Sequence, residues 1–290
     1  MAQFFTDLKR ILGPAALRRI ARELPQNNSL ALAGQLAYLF VLFLFPFLIF
    51  LLTVVSVAVH DPEAALKNLA RRMESFWPQE SVELIRGYLD RTSKSTSLAT
   101  FISSVLFTLG VGSATAEAIS NAANRFYGVQ ETRPFWKVRG VAILLIFGFT
   151  LMIAALAFMV LSPRTGAYLQ GAMGLPTVFL SVWTLLGWLI TFLAVTLALD
   201  VLYYLAPNAD IPFRWITPGG FTAAILLLVA NQIMRLFIAD VFHYDQLYGQ
   251  LGAGIVLLTW LYVIGLVMLT GMQINAVLAQ IAQEHENPER

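Results

Sequence analysis

Six apolar stretches, each long enough to cross a bilayer and separated by polar segments, constrain this chain more than any other feature. A hydrocarbon core about 30 Å thick needs about 20 helical residues to span it. Runs at 30–59, 98–121, 141–161, 178–205, 217–239 and 251–281 meet that length with few charges inside them. Backbone polar groups in lipid must be satisfied within the protein, so such runs fold as helices. The expected fold is an all-α, polytopic membrane protein with six transmembrane helices. Composition agrees, because 58% of the 290 residues are hydrophobic and 12% are charged, against about 25% charged in a soluble domain. The polar segments are too short to fold a separate catalytic or nucleic-acid-binding domain. With no cysteine, a disulfide framework and a thiolate metal site are excluded.

The membrane domain is expected over 30–281, preceded by a basic amphipathic N-terminal segment at 1–29 and followed by a tail at 282–290. In the first segment Phe5, Leu8, Leu12, Ile20 and Leu24 alternate with Lys9, Arg10, Arg18, Arg19 and Arg22. This reads equally as interfacial helices on an anionic leaflet or as a basic juxtamembrane tail. It lacks the apolar core and cleavage site of a secretory signal. Pro46 sits mid-way along span one, where it removes a backbone hydrogen bond and predicts a hinge. Between spans one and two, 61–93 reads as a helical cap over the membrane, with Asp61 and Pro62 at its start and Leu66, Leu69 and Met73 at helical spacing.

Charge sets the expected orientation. The N-terminal segment is basic, and Arg125, Arg133, Lys137 and Arg139 follow span two against Glu131 alone. Both regions are expected in the cytoplasm of a bacterial inner (plasma) membrane protein, N-in and C-in, although six basic residues also occur with six acids in the loop after span one.

Polar residues inside the spans are the candidate site. On span two Ser103, Gly110, Ser113, Glu117, Ser120 and Asn124 recur at helical spacing, with Asn121 nearby. Such a stripe reads either as a packing seam or, given its carboxylate, as one wall of a solute pathway. Gln35, Glu117, Asp200, Gln273 and Asn275 fall at one depth near the cytoplasmic side, forming a polar cavity if they converge and an interfacial ring if they diverge. Asp200 also reads as a residue snorkelling at its helix end. Asn231 and Arg235 lie one turn apart towards the outer leaflet, where a guanidinium suits a phosphate or carboxylate. His60, His243 and His285 are scattered, and no metalloprotease motif, nucleophile elbow or phosphate loop occurs. No catalytic residue, metal site or cofactor is therefore expected.

The segments LAGQLAYLFVLFLFPFLIF, NAANRFYGVQETRPFWKVRG and WITPGGFTAAILLL, with YGQLGAGIVLLTWLYVIGLVMLTGMQIN, resemble the YihY/BrkB family of bacterial inner-membrane proteins, once labelled ribonuclease BN. The resemblance covers roughly Leu30 to Asn275, and the final block is its most specific part. It implies a six-helix membrane protein with suggested roles in lipid or amphiphile export and in virulence, and it brings no catalytic residues. The family usually has an acid where this chain has Gln273, which argues against a proton-linked role there. The expected function is a transporter or flippase-like exporter of an amphiphilic, lipid or anionic solute. The rival is a non-transporting scaffold or assembly factor whose helical cap binds a partner. Membrane lipids are the expected partners, and nucleic acid is not.

The topology is testable in a cysteine-free background. Single cysteines at Arg133 and Glu80 are expected to react with an impermeant maleimide from the cytoplasmic and outer sides respectively; labelling from one side only refutes six spans.

Overall fold

A computed structural model describes residues 13–58, 98–134, parts of 136–148, 166–241 apart from 168 and 177, and 250–286. The helical cap at 61–93 and most of span three lie outside the described residues. Secondary structure among the described residues is helical, without strands. The long elements are α1 (Pro14–Gln26), α2 (Ser29–Ala58), α3 (Leu98–Tyr127), α4 (Val178–Leu205), α5 (Pro218–Val241) and α6 (Gln250–Glu286). Four segments are long and apolar enough to cross a membrane: Ser29–Leu48, Ile102–Tyr127, Val178–Leu205 and Gly254–Glu284. Pro218–Met234 is a shorter apolar helix. Spans one, two, four, five and six are thus each represented by a helix.

The chain divides into two compact units, one of Met1–Ser29, Ser120–Leu226 and Val267–Arg290, the other of Leu30–Ile119 and Leu227–Leu266. In the second, one face of α2 is buried through Ala33, Leu36, Ala37, Phe40, Phe43 and Phe47. That spacing of three and four residues is one helical face. Gly265 of α6 lies against it, and a Cβ there would meet the Ala33 carbonyl oxygen and Leu36 Cβ at 3.4 Å each. Small residues allow this close approach where no hydrophobic effect separates helix from lipid. Pro46 is buried inside an unbroken α2, and the Phe43 and Phe47 rings beside it stack with centroids 5.1 Å apart.

In the first unit α6 supplies the central wall. Leu269, Met272, Gln273, Ala276 and Val277 are wholly buried. The Tyr203 hydroxyl donates to the Met268 carbonyl at 2.8 Å, tying α4 to α6. The α1 helix begins at Pro14, whose missing N–H costs nothing in a first turn. Its Ile20 packs with Ile274 and Val277, flanked by Leu24, Leu278 and Ile281. Its apolar face therefore covers the end of α6 instead of entering lipid, which refines the interfacial-helix expectation. Arg19 reinforces the contact by donating to Glu284 at 2.9 and 3.1 Å and to Gln280 at 2.9 Å.

Gly271 fixes the spacing of α4, α5 and α6. A Cβ there would sit 2.5 Å from the Tyr203 hydroxyl, 2.7 Å from the Gly219 carbonyl oxygen and 2.8 Å from Ala223 Cβ. Gly254, on the same helix, has nothing within 4 Å. Gly271→Ala is expected to destabilise the protein by about 1–3 kcal/mol through overpacking, with Gly254→Ala near neutral, as read by thermal unfolding in detergent. Equal melting temperatures for the two variants would refute the close-approach account.

Candidate functional site

The N-terminus of α5 is where sequence-selected residues meet. A helix start leaves backbone N–H groups without intrahelical partners, and near lipid each such group carries a penalty of several kcal/mol. Thr217 occupies the capping position, Pro218 the first helical one. The Thr217 backbone N–H donates to Asp200 Oδ2 at 3.0 Å, and its hydroxyl donates to Asp200 Oδ1. Its Oγ1 accepts from the Gly220 N–H at 3.1 Å and from the Asn275 side-chain amide at 2.8 Å. The Gly219 N–H donates to Asn275 Oδ1 at 2.8 Å. Pro218 has no N–H to satisfy, so the capping and first three helical positions are all accounted for.

This clasp requires its glycines. A Cβ on Gly220 would collide with the Asp200 carboxylate, and one on Gly219 would lie 2.6 Å from Asn275 Cγ and clash with the Gly271 carbonyl. Asp200, 1% exposed, is thus a second cap for α5 supplied by α4, in favourable alignment with the positive end of the helix dipole. It is held by protein partners at the end of its helix.

A matching arrangement closes the C-terminus of α4. The Arg133 guanidinium donates to the Leu205 carbonyl at 2.9 Å and to the Ala206 carbonyl at 2.8 Å, satisfying helix-terminal acceptors with a cation. Glu131 orients it by accepting from Nε at 2.8 Å and from Nη2 at 2.7 Å. Asn124 joins the group, donating to Glu131 Oε2 at 2.8 Å and accepting from the Asn208 N–H at 2.6 Å. The Arg133 guanidinium, followed by burial acting the other way and by the Asn124 amide, holds the Glu131 carboxyl down at about 2.

Gln273 belongs to a third group. It is fully buried, donates to Glu23 Oε2 at 2.8 Å, and accepts from the Asn27 amide at 3.0 Å. Both of its amide groups have partners from the chain just before α2. Asp200 with Asn275, Asn124, and Gln273 therefore occupy three structural hydrogen-bond groups in the first unit.

The other selected residues stand apart. Gln35, Glu117 and Asn121 are exposed on their helices. Ser113 is buried and donates to the Leu109 carbonyl of its own helix at 2.6 Å. Asn231 is half-buried, while the Arg235 side chain lies outside the described residues, as do His60 and His243. The stripe on α3 divides in two: Ser113, Ser120 and Asn124 are buried, but Ser103, Gly110 and Glu117 are exposed. At about 100° per residue, each of these triplets spans only about 40° of arc and the two lie side by side. A single stripe in sequence therefore straddles the edge of the packed face.

Sequence reading missed Glu23, Asn27, Glu131, Tyr203, Asn208 and Thr217 as participants. Thr217 had a legible signal, since Thr-Pro-Gly-Gly opening an apolar run is a capping residue followed by proline at the first position. The exposed rings of Phe213 and Trp215, edge to face at 5.2 Å, mark the preceding connection as an interfacial belt.

These features define an all-α, polytopic membrane protein whose helix ends are closed by side chains from neighbouring helices. The profile described as "Virulence factor BrkB" matches residues 20–290, and the chain belongs to that family. It is 29% identical over 248 residues to "Putative ribonuclease-like protein YfkH" of Bacillus subtilis (strain 168), covering 85% of this chain and 88% of that protein. A UPF0761 membrane protein of Psychromonas ingrahamii is 24% identical over 271 residues, 92% of this chain and 88% of the relative. A UPF0761 membrane protein of Aromatoleum aromaticum is 26% identical over 266 residues, with 61% of its own length covered. No solved structure matches the chain.

The Glu131 carboxyl yields a pH prediction. Its folded pKa is depressed from 4.5 to about 2, so its contribution is fully present above the unfolded value and is lost as pH falls through that window. Wild-type protein is expected to be more stable than Glu131→Gln above pH 4.5, with the difference closing towards pH 2. Unfolding midpoints followed by tryptophan fluorescence test this; a pH-independent gap contradicts the ion-pair account. Because Arg133 is engaged, exposed Lys137 is the better cytoplasmic labelling position.

Proposed function

We propose that this protein is an inner-membrane transporter or flippase-like exporter of an amphiphilic, lipid or anionic solute, oriented with both termini in the cytoplasm. The observation that carries the reading is the contrast along α4. From Thr196 to Tyr203 the helix presents buried residues and the Asp200 and Tyr203 bonds, whereas Val182, Leu185, Leu186, Trp188, Leu189 and Ile190 are exposed. On that open half lies a concavity of about 450 Å³ bounded by Leu180, Ser181, Thr184, Leu185 and Trp188. Its size falls in the range of small-molecule sites, and apolar walls with a few hydroxyls suit an amphiphile. Glu117, exposed on a membrane helix, supports the same reading, since an ionisable group in a span commonly serves a pathway. Arg235, with Asn231 one turn before it, is the candidate for a solute's anionic group, because a guanidinium offers parallel donors to phosphate or carboxylate.

A scaffold role draws on a different observation: Asp200, Asn124, Gln273 and Asn275 all serve packing between helices. The nuclease label in the name of YfkH finds no metal-binding constellation here, for no group of three or more His, Asp or Glu that could hold a metal occurs among the described residues.

Reconstitution in liposomes with a fluorescent phospholipid and, separately, an organic anion tests the proposal. Wild-type protein is expected to move at least one of them, and Trp188→Ala and Arg235→Lys to slow that movement severalfold while melting like wild type. Failure of wild-type protein to move either class favours the scaffold.

A further inference from the structure

The apolar face of α1 is committed to α6, but its opposite face is not. Arg18 and Arg22, one turn apart, are exposed, and among the described residues neither makes a hydrogen bond or an ion pair. Arg19, between them in sequence, turns the other way and is fixed by Glu23 and Glu284. Together Arg18, Arg19, Arg22, Glu23 and Gln26 bound a cleft of about 360 Å³. The one carboxylate in this cleft is already engaged, with Oε1 accepting from Arg19 at 2.8 Å and Oε2 from Gln273 at 2.8 Å. Arg18 and Arg22 are left as two like charges at the separation where helical neighbours repel. An anion between them relieves that repulsion.

Position and chemistry select the anion. Gln26 ends α1 three residues before Ser29, where the membrane-spanning α2 begins, so the cleft opens at the level where a leaflet presents its headgroups. Paired guanidiniums match the tetrahedral oxygens of phosphate by parallel charge-assisted bonds. We propose that Arg18 and Arg22 form a binding site for the phosphate of an anionic phospholipid in the leaflet adjoining α1. The site does not depend on the transport reading. It assigns to the N-terminal helix a lipid contact made by its charged face alone, since its apolar face is occupied by protein.

The test uses the full chain purified in non-ionic detergent and titrated with short-chain phosphatidylglycerol, short-chain phosphatidylcholine and inorganic phosphate, with bound lipid read by native mass spectrometry. Wild-type protein is expected to bind phosphatidylglycerol in preference to the other two. At about 1 kcal/mol per basic residue near an anionic surface, Arg18→Gln and Arg22→Gln should each weaken that binding about fivefold and together about thirtyfold. The double replacement by Lys should retain part of the affinity. The single variants carry the same comparison should the double one fold poorly, and the unliganded melting temperature separates folding from binding. Equal affinity of wild type and the Gln variants overturns the site. Phosphatidylcholine binding as tightly as phosphatidylglycerol overturns the role of charge, and inorganic phosphate binding as tightly overturns the lipid as its source.

Discussion

The hydroxyl of Thr217 is the point on which the packed unit depends. It donates to Asp200 of α4 and accepts from both Asn275 of α6 and Gly220 of its own helix. A hydroxyl has one donor and two acceptor positions, and all are filled. Water that would otherwise solvate a helix start is scarce beside lipid, so the bonds come from neighbouring helices, which must then approach closely. That requirement propagates into sequence as Gly219, Gly220 and Gly271, three positions where a side chain would occupy space already taken by a carboxylate, a carboxamide or a backbone carbonyl.

The same physics acts with opposite sign at the end of α4. A helix C-terminus presents carbonyl oxygens and a negative dipole end, and Arg133 supplies a cation to Leu205 and Ala206. Asp200 serves the start of the next helix. The connection between α4 and α5 is thus held at both sides by ionisable side chains, one from the loop after α3 and one from α4 itself. Glu131 and Asn124 aim the guanidinium, and Asn208 returns its side-chain amide to the Gln130 carbonyl and the Thr132 hydroxyl. Polar residues in these segments therefore define which helix ends are neighbours, a task that apolar contact alone performs poorly where lipid is as apolar as leucine.

Much of this was legible in the chain. Long apolar runs dictated helices, and α2, α3, α4, α5 and α6 correspond to spans one, two, four, five and six, because hydropathy over a bilayer thickness is a strong constraint. Polarity correctly singled out Asn124, Asp200, Gln273 and Asn275 as unusual. Their partners were harder to read, since Glu23 lies 250 residues from Gln273 and Asn124 lies 84 from Asn208; no local pattern encodes such pairs. Glu131 and Arg133 registered only as counted charges, because the sequence does not reveal that a carbonyl end awaits the arginine. Helical spacing grouped Glu117 with Ser113 and Ser120, yet a small angular difference puts the carboxylate outside the packed face and the hydroxyls within it.

The distribution of directional bonds also limits where a conformational change can occur. Separating α5 from Asp200 or Asn275 would expose several N–H groups at once, and the glycine contacts leave no continuous sliding path for the helices, since packed interfaces move between discrete arrangements. Along the exposed part of α4 from Val182 to Ile190 the contacts are apolar and non-directional, and their loss to lipid costs little because lipid replaces them. Pro46 adds a position in α2 where one backbone bond is already absent. Any motion that serves a solute is therefore cheapest in the apolar half of α4 and around Pro46, with the capped helix ends remaining as the fixed part against which it occurs.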